Sequence, residues 1–67
     1  MIIKVGDLLD ALDNKGYIAF INKMYDDGEY RSIWQGYIGD APQDLKKNIV
    51  DFFNITNNII TIYMIED

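Results

Sequence analysis

Asp26, Asp27 and Glu29 put three carboxylates into four positions, a cluster that could bind Ca²⁺ or share a proton between two acids. A helix–loop–helix calcium loop spreads its ligands over about twelve residues and closes on a Glu, and this run has neither feature. With Gly28 inside it, the run reads as a hairpin turn whose acids form the turn and keep it in water. Ser32 is a nucleophile by type, but the chain contains no His to act as its base and no Cys to replace it. A Ser–Lys pair is the remaining option, and no spacing points to one. Gly36-Tyr37-Ile38-Gly39 lacks both the spacing and the Lys of a phosphate-cradling loop. The missing His and Cys also remove the usual zinc sites and all disulfides. The expectation is a protein that is not an enzyme and carries no metal and no cofactor.

Binding chemistry is concentrated in the same stretch. Residues 25–42, YDDGEYRSIWQGYIGDAP, hold the only Trp, Arg and Pro and three of the five Tyr. Trp, Tyr and Arg are the side chains that dominate interface energetics, so Tyr25, Tyr30, Arg31, Trp34 and Tyr37 are the candidate partner-binding set. On a regular strand Tyr30 and Trp34 share one face, and Arg31 and Tyr37 share the other. Both faces are then aromatic, although a sheet with one core needs only one. The second face is expected to be covered by residues 40–48, by a second copy or by a foreign protein. One alternative is a nucleotide-like signal held at an oligomer interface, with Arg31 on phosphate and Trp34 stacked on the base, a reading by analogy; another is a self-assembling structural subunit with no small ligand.

Net charge is −5, which disfavours direct binding of nucleic acid. Arg31 is the only cation between Lys23 and Lys46, too few for a stacking platform that tracks a phosphate backbone. Asp7, Asp10 and Asp13 form an acidic face that is either solvated or a docking stripe for a basic protein surface. No run approaches the ~18 apolar residues of a membrane span, and the N-terminus does not read as a secretory signal. The expectation is a complete, soluble, cytoplasmic protein. The chain spans 67 residues, 49% of them apolar, and reads as a single folded domain, 1–67. A chain this short buries only about 60% of its unfolded surface, and with no disulfide or metal to help, self-association as a homodimer or higher oligomer is the remaining aid to stability.

The elements that position these residues follow from periodicity. Val5, Leu8, Leu9 and Leu12 recur at helical spacing over residues 5–13, with Asp7, Asp10 and Asp13 opposite them and a stop at Asn14-Lys15-Gly16. Residues 17–25 and 29–38 read as strands joined at Asp26-Asp27-Gly28. Residues 39–48 turn into a short helix with Pro42 at its first position. Residues 49–56 and 59–66 read as a second hairpin around Asn57-Asn58, and residues 2–4 as a short strand. The fold class is α+β: a short N-terminal helix on an antiparallel sheet of two hairpins, about four strands, with a short helix between them.

The motifs in this order resemble small accessory proteins of phages and prophages from low-GC Gram-positive bacteria. The resemblance rests on V-x-[DE]-L-L-x-x-L at Val5 to Leu12, I-x-[IF] at Ile18 to Phe20, D-x-G-E at Asp26 to Glu29, and G-Y-[IV]-x-D-x-P at Gly36 to Pro42. It implies a protein that acts by binding, plausibly inhibiting a host protein such as a defence nuclease. The chain departs from that pattern in the aromatic content around Trp34.

Overall fold

A computed structural model describes residues 2–12 and 16–66. The elements are α1 (Val5–Ala11), β1 (Ile18–Met24), β2 (Tyr30–Tyr37), a 3-10 turn (Ile38–Asp40), α2 (Gln43–Lys46), β3 (Ile49–Thr56) and β4 (Ile59–Ile65). This is the expected α+β arrangement, with α1 on a four-stranded sheet and α2 between the two hairpins. Pro42 stands just before α2 rather than at its first position. Of the expected helix stop, Asn14 and Lys15 lie outside the described residues, and Gly16 has φ 73°.

Local chemistry sets both turns. The Gly28 N–H donates to the Tyr25 carbonyl at 2.8 Å, and the Tyr25 N–H donates to the Glu29 carbonyl at 2.9 Å. Gly28 takes φ 82°, a left-handed position at which Gly has no Cβ penalty. Asp27 locks the tip by accepting the Glu29 N–H at 3.0 Å. In the second turn Asn57 takes φ 56°, a conformation Asn tolerates.

The strand order is β2-β1-β4-β3. Each hairpin is antiparallel, but β1 and β4 run parallel where the hairpins join, so the sheet is mixed rather than wholly antiparallel. Composition explains the choice. IAFINKM and IITIYMI contribute Ala19, Ile21, Ile60, Ile62 and Met64, all essentially inaccessible to water. β2 and β3 carry Arg31, Gly36 and Asp51, which an edge tolerates better than a centre. The connection from β2 to β3 must therefore cross the sheet from one edge to the other, and the 3-10 turn and α2 do so on the side that α1 covers.

Val5 and Leu9 of α1 close the core over this face, with Ile38 and Ala41 beside them. The largest fully buried side chains are Val5, Leu9, Ile21, Ile60, Ile62 and Met64, and burial of each is worth roughly 1.5–3 kcal/mol. α1 has no side-chain cap; instead its Val5 N–H donates to the Asn48 carbonyl at 2.9 Å. Gly6 lets α1 approach α2, since a Cβ there would stand 3.1 Å from the Lys46 Cβ and 3.2 Å from its carbonyl oxygen. Residues 3 and 4 lie along the start of β3: Lys4 bridges Ile49, and the Val50 N–H donates to the Ile3 carbonyl at 2.8 Å.

Two bulges interrupt the register, one in β2 at Ile33 and one in β3 at Asp51. Ile21 pairs with Trp34 but Asn22 pairs with Ser32, which leaves Ile33 as the extra residue. The inserted residue reverses the alternation of everything beyond it.

Candidate functional site

The β2 bulge redistributes the predicted binding residues. Tyr30 and Trp34 do not share a face, because the alternation shifts at Ile33. Trp34 pairs with Ile21 and packs, with Ile33, against the core. A Cβ on Gly36 would stand 3.0 Å from the Trp34 ring, so the indole lies over the glycine on its own strand. Arg31 pairs with Lys23 on this same helix-covered side. Tyr30 and Tyr37 fall together on the opposite side, where neither helix lies. Tyr25 sits at the strand end with the Arg31 guanidinium 4.8 Å and the Lys23 ammonium 5.3 Å from its ring centre.

No segment of the described chain covers the opposite side of the sheet. The register places Ile18, Phe20, Asn22 and Met24 of β1 on it, and Tyr30, Ser32, Gln35 and Tyr37 of β2. β4 adds Ile59, Thr61, Tyr63 and Ile65, and β3 adds Ile49, Phe52, Asn54 and Thr56. None of these sixteen side chains, four from each strand, is charged. A sheet face that merely meets water ordinarily carries polar and charged groups. Here Tyr37 is 63% and Phe52 50% exposed, and Ile59 and Ile65 are exposed beside them.

An aromatic cluster occupies one end of this open face. Phe52 stacks on Tyr63 with ring centres 4.3 Å apart, and Tyr30 meets both edge-on, at 5.1 Å from Tyr63 and 5.9 Å from Phe52. The Tyr30 hydroxyl donates to the Asp51 carboxylate. Tyr30 is on one edge strand and Asp51 on the other, roughly 14 Å apart across three strand spacings of a flat sheet. Their contact requires the sheet to coil over its open face, and both bulges, which increase local twist, lie in this half. The Asp51 bond and charge oppose ionisation of the Tyr30 phenol and push its pKa up to about 12. Asp51 itself stands at the rim of the uncharged face.

Arg31, the cation expected to hold a phosphate, and its neighbour Lys23 are engaged elsewhere. Arg31 pairs with Asp27, whose carboxyl is held below the usual range by the Glu29 N–H first and Arg31 second. Lys23 pairs with Glu66, whose carboxylate raises the Lys23 pKa and is itself lowered by it. This pair separates two open grooves at the Tyr25 end, one lined by Ile33, Leu45 and Met64, the other by Met24 and Ile65. Asp7 and Asp10 are exposed on α1, on the far side of the molecule from the open face, and Asp13 lies outside the described residues. Sequence reasoning missed Phe52 and Tyr63. Their signal was present as the alternation of VDFFNIT and IITIYMI, in which apolar residues occupy both faces.

Among the described residues, no helix is long and apolar enough to cross a membrane. No protein-family model, curated protein or solved structure matches the chain.

Proposed function

We propose that this chain is a non-enzymatic binding protein of the phage accessory type, which docks on a host protein through its open sheet face and thereby inhibits it. The uncharged, uncovered face supports this reading most directly: apolar side chains from all four strands meet water, with an aromatic cluster among them. The partner surface that fits is apolar at its centre and basic at its rim, opposite Asp51 and the acids of the Tyr25 end. A basic rim is what a nucleic-acid-handling protein such as a defence nuclease offers. The face has no cation, so it does not suit nucleic acid itself.

The test is binding to proteins of a bacterial host, with variants on each side of the sheet. Tyr37→Lys and Ile59→Lys charge the open face at exposed positions; Asp7→Asn and Asp10→Asn alter the helix side. The expected result is one host protein retained in stoichiometric amount by the parent chain and by the helix variants, and lost with the open-face variants. Loss with the helix variants alone, or no stoichiometric protein, would count against the reading.

A further inference from the structure

The outer edge of β3 is a second surface, distinct from the open face. β2, the other edge strand, is protected by its bulge, by Gly36 and by Arg31. From Phe52 to Thr56 β3 has none of these protections: no charge, no Pro, no Gly and no bulge. Phe52, Phe53 and Ile55 are 50%, 40% and 43% exposed. The free stretch is bounded on both sides. Residues 3 and 4 occupy the edge at Ile49 and Val50, and the turn at Asn57 bends the chain away after Thr56.

Backbone direction in this stretch follows from the turn. A two-residue turn is flanked by a hydrogen-bonded pair, here Thr56 and Ile59, so Thr56, Asn54 and Phe52 point their N–H and C=O groups toward β4. Phe53 and Ile55 then point theirs outward. The Val50 N–H also points outward, to Ile3, and the extra residue at Asp51 accounts for the shift in parity between Val50 and Phe53. The free edge is thus centred on Asn54, with one outward-facing residue on either side of it.

We propose that a second copy of this chain pairs antiparallel along this edge, across a two-fold axis at Asn54. Phe53 of each copy then exchanges both backbone bonds with Ile55 of the other. Asn54 faces its own equivalent, and Phe52 faces Thr56. Self-pairing suits the edge for three reasons. Its window is symmetric about its centre, as an isologous contact requires. Two chains of charge −5 can approach only where neither presents charge, and this strand presents none between Phe52 and Thr56. The pairing covers the apolar groups exposed on both sides of the strand, and it extends the open face into one continuous surface on the dimer. Ile55 lies on the helix-covered side of the sheet, so the pairing does not depend on what the open face binds.

Sedimentation velocity from about 5 to about 500 µM, the range in which small interfaces associate, combined with amide exchange at both limits, tests the pairing. The expected result is a monomer–dimer equilibrium in which the Phe53 and Ile55 amides gain about tenfold or more protection with concentration, while those of Phe52, Asn54 and Thr56 do not change. Ile55→Lys is expected to abolish the dimer, and Tyr37→Lys to leave it intact. A monomer at every concentration overturns the proposal. So does a dimer lost with Tyr37→Lys and kept with Ile55→Lys, which would place the contact on the open face. An assembly larger than a dimer also overturns it, because two-fold pairing consumes the edge. The exchange pattern of the parent chain decides the matter even where a variant folds poorly.

Discussion

Trp34→Ala separates the two possible faces of β2 by a difference in stability. In the structure the indole covers Gly36 and Ile21 and packs against the core. A largely buried Trp removes about 150 Å² or more from water. At ~25 cal/mol/Å² that is about 4 kcal/mol, and allowance for a compact unfolded state lowers it to about 2–3 kcal/mol. A domain of 67 residues has a total stability of roughly 3–10 kcal/mol. The substitution therefore removes a large share of what holds the chain folded. Urea unfolding followed by far-ultraviolet circular dichroism is the suitable assay, since the variant loses the only Trp fluorophore. With a slope near 1 kcal/mol/M, the midpoint should fall by about 2–3 M. Tyr37→Ala, at an exposed open-face position, should shift it by less than about 0.5 M. A Trp34→Ala midpoint within about 0.5 M of the parent would refute the bulge assignment and return Trp34 to the open face. The consequence for binding studies is direct: loss of a partner on Trp34→Ala reports unfolding rather than a lost contact.

Two further expectations follow from the packing and the charges. Gly6→Ala gains about 1 kcal/mol of helix propensity, but its Cβ would press on the Lys46 backbone at 3.2 Å; overpacking of about 1–3 kcal/mol should win, and thermal unfolding should show a net loss. The folded Tyr30 phenol, held protonated beside Asp51, ionises near pH 12 rather than 10, so its contribution to stability is complete below pH 10 and is lost as pH rises from 10 through 12. Ultraviolet titration should show one tyrosine ionising late, and Tyr30→Phe should remove that step; a late step that persists in the variant would assign it to another residue.

Much of the fold was legible because its signals are local. The α1 stripe, the Asp-Gly and Asn-Asn turns and the four strands each show in a few adjacent residues, and every boundary of these four strands falls within one residue of its expected place, whereas the short strand expected at residues 2–4 is a single bridge at Lys4. The parallel meeting of β1 and β4 was not legible. Each hairpin folds by itself in either case, and which strands meet depends on which can be buried on the covered face, a comparison across the whole chain. The bulge at Ile33 was missed for a related reason. Ile33 and Trp34 are adjacent and both apolar, which strict alternation forbids unless an extra residue lets both turn toward one core. The sequence contains that clue, but only the pairing with Ile21 and Asn22 shows on which side of Ile33 the register shifts.

The two bulges also account for why the chain has one open aromatic face instead of two. Without the insertion at Ile33, Trp34 would stand on the open face with Tyr30 while Tyr37 turned to the helix side, and the core would lose the indole packed against it. With it, Trp34 is committed to stability and Tyr30 and Tyr37 to the surface. The insertion at Asp51 does the complementary job on β3: it coils the sheet until Tyr30 reaches across two strands to Phe52 and Asp51. The aromatic cluster is thereby fixed at one end of the face by a hydrogen bond at its rim, while the aliphatic end around Ile18 and Ile59 has no such tie. A partner meeting this face would find the aromatic rings already arranged against one another and tied at the rim, so less ordering entropy would remain to be lost at that end on binding.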